Sequence, residues 1–153
     1  MIRFEGNRDF RFPPEELFAS LTDVRFLVQC LPDVESVQNA GPDQAQLVLR
    51  PKLAFVRGKL EALVRVVERQ APTFARLVVS SRGIGTSSEV ESSLAFQPLE
   101  EGTRVRWMMT ITSLGGLLKL VPGGLIRGAA EKVINDAWNA VEARLTASAA
   151  PPA

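Results

Sequence analysis

The chain has no histidine, no tyrosine and one cysteine among its 153 residues. Without histidine there is no His-ligated metal site and no Ser-His or Cys-His nucleophile pair. A lone cysteine rules out an intrachain disulfide. Cys30 stands in the apolar run Val28-Gln29-Cys30-Leu31 and reads as a small buried side chain rather than a reactive thiol. No stretch of about 18 uninterrupted apolar residues occurs, so no membrane-spanning helix is expected. The longest candidate, residues 114–126, holds Lys119, Pro122 and four glycines. The N-terminus, Met1 to Asp9, carries a charge every two or three residues and lacks the apolar region of a signal peptide. A cytoplasmic location is therefore the default expectation. Basic excess is missing too: 18 Lys and Arg face 17 Asp and Glu, a net +1, which argues against a nucleic-acid binder.

What is present is apolar. Hydrophobic residues make up 46% of the chain and charged ones 23%, enough for one fully packed domain. Residues 2–12 alternate as a half-buried strand, with Ile2, Phe4, Gly6, Phe10 and Phe12 on one side. Pro13-Pro14 ends it, and Pro14-Glu15-Glu16 suits a helix start. Thr22-Asp23 caps a second short helix that Pro32-Asp33 stops. Strands then follow in succession over residues 34–113 with short connections, the pattern of antiparallel pairing. Gly58–Arg69 sets Leu60, Ala62, Val64 and Val66 against Lys59, Glu61, Arg65 and Arg69. Leu77, Val79 and Ser81 face inward on the next strand. Ser88, Val90, Ser92, Leu94 and Phe96 share a face on the one after, and Val105, Trp107, Met109 and Ile111 on the last. Residues 125–145 close the chain as a helix with Ile126, Ala129, Ala130, Val133, Ala137, Val141 and Leu145 at helical spacing. The expectation is a single domain over 1–146 and a disordered Ala/Pro-rich tail over 147–153.

This order of elements resembles the START-like (SRPBCC) helix-grip superfamily, an α+β fold. Its curved antiparallel sheet of about seven strands wraps a long C-terminal helix, with two short helices after the first strand. Phe4-x-Gly6, Pro13-Pro14-Glu15-Glu16-Leu17-Phe18, Leu21-Thr22-Asp23 and Cys30-Leu31-Pro32 are similar to the CoxG family, named for a carbon monoxide dehydrogenase subunit. Val56-x-Gly58, Gly102-Thr103 and Gly115-Gly116 resemble it as well. One departure is Asp33, where the family usually has glycine, which bears on a local turn. Many relatives also continue into a C-terminal hydrophobic segment that contacts membrane. The sequence here stops at Ala153, so that attachment is not carried over. The resemblance implies an apolar cavity between sheet and helix and a role beside molybdenum-containing dehydrogenases, recruiting them to membrane or handling hydrophobic molecules such as quinones.

The residues supply a reason for such a cavity. Gly123, Gly124, Gly128, Ala129, Ala130 and Ala137 on the helix, and Ala62, Ser81, Ser88 and Ser92 on the strands, are small where a filled core would use larger groups. They leave either a cavity of about 300–1,000 Å³ or simply a close approach of helix to sheet. The expected lining is Leu49, Leu53, Phe55, Leu60, Ala62, Val64, Val79, Ser81, Val90, Ser92, Leu94, Trp107, Met109, Leu117, Val121, Ile126, Ala130 and Val133. Ser81 or Ser92 could orient a ligand carbonyl or hydroxyl. The segments Arg82-Gly83-Ile84-Gly85 and Pro122-Gly123-Gly124 lack phosphate-loop spacing and read as hinges at the cavity mouth or as plain loops. Residues 50–82 carry eight bases and two acids, +6, leaving −5 for the rest. Arg50, Arg57, Lys59 and Arg65 of that stripe are candidates for contact with an acidic partner or with anionic lipid headgroups. Phe55 and Phe74 alone fall among these bases, too few for the aromatic interleaving that nucleic-acid binding would want. Three functions compete: a carrier of a lipid-like or quinone-like molecule, a recruitment factor acting through the basic face, and a cyclase- or hydrolase-type enzyme. No Asp or Glu falls on an inward position of strands 58–113, which disfavours proton-transfer catalysis. No metal and no cofactor are expected.

Overall fold

The structure is a computed structural model and describes residues 2–53, 56 and 58–149. Its elements are β1 (Ile2–Phe10), α1 (Pro14–Leu21), α2 (Val24–Cys30), β2 (Val34–Gln38), β3 (Gln44–Leu49), β4 (Leu60–Gln70), β5 (Phe74–Gly83), β6 (Thr86–Leu99) and β7 (Gly102–Gly116). A 3-10 turn (Leu117–Leu120) and α3 (Gly123–Ala149) complete the chain. The strands form one seven-stranded antiparallel sheet in the order β1-β7-β6-β5-β4-β3-β2. β1 returns to the far edge beside β7, so the sheet curves around α3 in the helix-grip arrangement expected.

Pro13 precedes α1 in extended conformation, with Glu15 and Glu16 in the first turn, where the helix dipole favours acids. Asp23 caps α2, its carboxylate accepting from the Arg25 amide at 2.9 Å. Asp33 has φ +60°. Glycine suits that left-handed conformation best, and Asp is one of the few other residues that adopt it readily.

The concave face is read from the registers. Phe4 stands opposite Met109, Gly6 opposite Trp107 and Phe10 opposite Thr103. Ser92 pairs with Met109 and Leu94 with Trp107, and Leu77 with Ser92. Besides a bulge in β2 between Val34 and Ser36, two bulges change which side chains reach the concave face. In β4 the pairing passes from Val66 to Glu68, which turns Arg69 to the concave side rather than outward as the alternation implies. There its Nη2 donates to the carbonyls of Thr22 at 2.8 Å and Pro42 at 2.9 Å, and its Nη1 pairs with Asp43. In β7 the pairing passes from Ile111 to Ser113, which brings Leu114 inward.

The core lies between sheet and helices. Phe10, Phe18, Phe96, Val105, Trp138, Val141 and Leu145 are buried together. A second cluster joins Val24 and Val28 of α2 to Ala45, Leu47, Ala62 and Val64. The buried stripe of α3 is Ile126, Ile134, Trp138, Val141 and Leu145. Its phase differs from the expected one, since Val133 is 38% exposed. Trp138, outside the expected stripe, sets this rotation: its ring centroid lies 6.1 Å from those of both Phe10 and Trp107. α3 also runs past Thr146 to Ala149, so the expected tail begins as helix. Its last residues, 150–153, lie outside the described residues.

Candidate functional site: an apolar cleft between sheet and helix

The aromatic cluster of Phe10, Trp107 and Trp138 fills one end of the space under α3. The other end, toward the β5–β6 hairpin, is hollow. A cleft of about 220 Å³ opens there, lined by Phe4, Leu53, Val56, Leu60, Ser81, Thr86, Ser88, Val90, Met109, Ile111, Leu114, Leu118, Ile126, Ala129, Ala130, Val133 and Ile134. The volume falls below the expected range. An apolar cavity of about 150 Å³ already accommodates benzene.

Of the residues expected in the lining, Leu53, Leu60, Ser81, Val90, Met109, Ile126, Ala130 and Val133 border the cleft. Others are elsewhere. Ala62 and Val64 pack with α2 in the second cluster, flanked by Leu49 and Val79. Leu94 is in the main core, with Trp107 packed against it. The Trp107 ring also lies over Gly6, where an added Cβ would come within 2.7 Å of the indole. Ser92 lies beside Met109 in the register but does not border the cleft. Val121 does not border it either. Leu117 is 58% exposed. Phe55 lies outside the described residues.

The small residues act differently from expectation. Gly123, Gly124 and Gly128 have nothing within 4 Å of a notional Cβ and face solvent. Of the small helix residues Ala129 and Ala130 border the cleft, and of the small strand residues Ser81 and Ser88 do. Gly83-Ile84-Gly85 forms a tight hairpin rather than a hinge: Gly83 pairs with Thr86, Gly85 has φ +67°, and a Cβ at Gly83 would collide with the Leu60 side chain. Pro122 and Gly123-Gly124 open α3, with the Leu125 and Ile126 amides bonded to the Pro122 carbonyl.

Leu114, Leu118, Thr86 and Ile134 were missed for identifiable reasons. Leu114 is brought in by the β7 bulge, and Leu118 follows it in the 3-10 turn. Ile134 is brought in by the rotation of α3 that Trp138 sets. Thr86 opens β6 where the strand is expected to begin, but the expected inward face starts only at Ser88.

The cleft holds three hydroxyls and no ionisable side chain among the described lining. Ser81 and Ser88 face each other across the hairpin with their Oγ atoms 2.5 Å apart. Thr86 is 7% exposed, and its Oγ1 is buried with no hydrogen-bond partner. Around the mouth, Ile84, Leu117, Leu120 and Leu125 are exposed apolar side chains, Leu120 at 78%. Cys30 is apart from the cleft; burial pushes its thiol up to about 11, and its Sγ donates to the Phe26 carbonyl at 3.5 Å.

The basic stripe is partly neutralised. Arg50 and Lys59 share Glu35, each at 3.7 Å. Arg76 pairs with Glu68 at 3.3 Å, Arg82 stands opposite Glu61, and Arg69 is on the other face. Arg65 keeps a buried Nε without a partner. Arg57 lies outside the described residues. Among those described, no group of three His, Cys, Asp or Glu could hold a metal ion, and no helix is long and apolar enough to cross a membrane.

The family profile of the carbon monoxide dehydrogenase subunit CoxG matches residues 6–146. The chain belongs to the CoxG family. Among solved structures, a conserved protein from Geobacillus kaustophilus is similar at TM-score 0.84 and 22% identity, covering 96% of this chain and 97% of that one. A protein from Thermus thermophilus gives TM-score 0.62 and 21% identity over 97% and 100% of the two chains. A START superfamily protein from Mycobacterium smegmatis gives 0.65 and 12% over 93% and 95%. No curated protein matches. These likenesses establish a START-like fold. CoxG membership and that fold together suggest a hydrophobic-ligand-binding accessory protein.

Proposed function

We propose that this CoxG-family protein binds a lipid-like or quinone-like molecule in the cleft between the sheet and α3, and does no chemistry on it. The observation that carries this reading is the cleft itself: about 220 Å³ of apolar space without an ionisable group among its described lining residues. Ligand sites are concave and mostly apolar with a few placed polar groups, and an apolar cleft with a single polar corner supports that reading. The lack of a poised acid or base supports binding rather than catalysis. Native mass spectrometry of protein purified from its own cell is expected to find a bound lipophile, and added quinones are expected to raise the melting temperature. Ala130→Trp, which puts an indole into the cleft, is expected to abolish both effects. Ligand-free protein whose melting no lipophile shifts would overturn the reading.

The accessory part of the proposal is service to a molybdenum-containing, carbon monoxide dehydrogenase-type enzyme. The family description supports it, and the outer-face bases Arg50 and Arg65 are the surface offered. A pull-down of that enzyme should survive Ala130→Trp and fail after Arg50→Glu with Arg65→Glu. Exposed Ile84, Leu117, Leu120 and Leu125 at the mouth support peripheral contact with a membrane from which a guest could be drawn.

A further inference from the structure

The polar corner of the cleft specifies more than an apolar guest. Thr86, Ser81 and Ser88 all lie on the concave face at the closed end of the β5–β6 hairpin. Ser81 is directly opposite Ser88, and Thr86 is two residues along the same strand, about 7 Å away at the strand rise. The two serines bond to each other, which uses one of their two O–H donors and leaves the other. Thr86 Oγ1 is buried without any partner among the described residues. A buried unpaired hydroxyl is a standing cost, and a bound molecule that accepts its proton is one way to relieve it. The other described residues that line the cleft are apolar and uncharged.

We infer that the guest is a neutral amphiphile. Its head is a hydrogen-bond acceptor such as a ketone carbonyl, held by Thr86 and the Ser81–Ser88 pair, and its hydrocarbon part points toward Met109 and Ile126. Each free O–H can donate to a carbonyl lone pair. A carboxylate head is disfavoured, because the described lining of the cleft holds no cation to offset its desolvation. This deepens the ligand-binding reading above and rests on it.

The test uses three compounds of equal length, nonane, 2-nonanone and nonanoate at pH 8, with calorimetric titration of the wild-type protein and of Thr86→Val. Valine keeps the shape and removes the hydroxyl. The ketone is expected to bind about five- to tenfold more weakly to the variant, the loss of one neutral hydrogen bond, while nonane binds both proteins alike. Nonanoate is expected to bind the wild type at least about tenfold more weakly than the ketone. The empty variant should melt at or above the wild-type temperature, which separates a lost contact from a lost fold. Ser81→Ala with Ser88→Ala gives a second reading of the same corner and is expected to weaken the ketone alone. An unchanged ketone affinity in both variants would mean that the corner holds only water, and it would overturn the inference while leaving the cleft a binding site. Nonanoate binding as well as the ketone would overturn it too. Failure of all three compounds to bind would overturn the ligand-binding reading itself.

Discussion

At the scale of single residues, burial and backbone conformation make firm predictions. The Cys30 thiol, pushed up to about 11 by its apolar surroundings, stays protonated at neutral pH, and only the thiolate is nucleophilic. A thiol reagent should leave Cys30 unmodified in the native protein and label it fully in denaturant. The sign of the linkage follows. Above pH 9, the ordinary value for the group, the unfolded chain loses the proton while the folded one keeps it. Stability therefore falls between about pH 9 and 11, and Cys30→Ala should flatten that fall, as read by urea melts at pH 7 and pH 10. Asp33 is the second case. Its φ of +60° carries a strain that glycine does not feel, so Asp33→Gly should be neutral or stabilising by up to about 1 kcal/mol in equilibrium unfolding. A loss of more than that would mean the Asp33 side chain does something the turn does not require.

At the scale of elements, the strand assignments were open to reading because alternation has a period of two and each strand has one wet and one dry face. The inward sets of β5, β6 and β7 are those that Leu77, Ser88 and Trp107 announce. In β4 and β7 the alternation misleads beyond the bulges, where one extra residue swaps the faces. Nothing in the run Val66-Val67-Glu68-Arg69 marks Val67 as the residue to be skipped; the outcome depends on the reach of Arg69 to carbonyls of the α1–α2 and β2–β3 connections. Arg69→Ala should cost about 2 kcal/mol in equilibrium unfolding, the scale of hydrogen bonds made by a charged donor, whereas a purely outward arginine would cost nothing measurable. The phase of α3 was legible only in part. Val133 and Ala137 fit helical spacing as well as Ile134 and Trp138 do, and the choice is made by the aromatic partners Phe10 and Trp107, which come from distant strands. Trp138→Ala should destabilise by about 3–5 kcal/mol, the range for deleting a buried large aromatic. Val133→Ala should cost under about 1 kcal/mol, because that side chain is partly in water. Comparable losses from both would place the helix in a different rotation.

At the scale of the whole molecule, one end of the grip is filled by rings and the other is left open, and that asymmetry is the basis of the proposed function. Phe10, Trp107 and Trp138 hold α3 against the sheet, so the space near Ala129 and Ala130 need not carry the packing. The sequence pointed to small residues but not to their side of the helix. Its glycines proved to face solvent, while the two alanines and the hairpin hydroxyls define the cleft. The most direct test is methyl NMR of protein labelled at isoleucine, titrated with 2-nonanone. Ile111, Ile126 and Ile134 border the cleft, whereas Ile84 is 75% exposed on the hairpin. The account predicts saturable shifts of the Ile111, Ile126 and Ile134 methyls, none at Ile84, and loss of all three in Ala130→Trp. Unmoved cleft methyls, or shifts confined to Ile84, would contradict it.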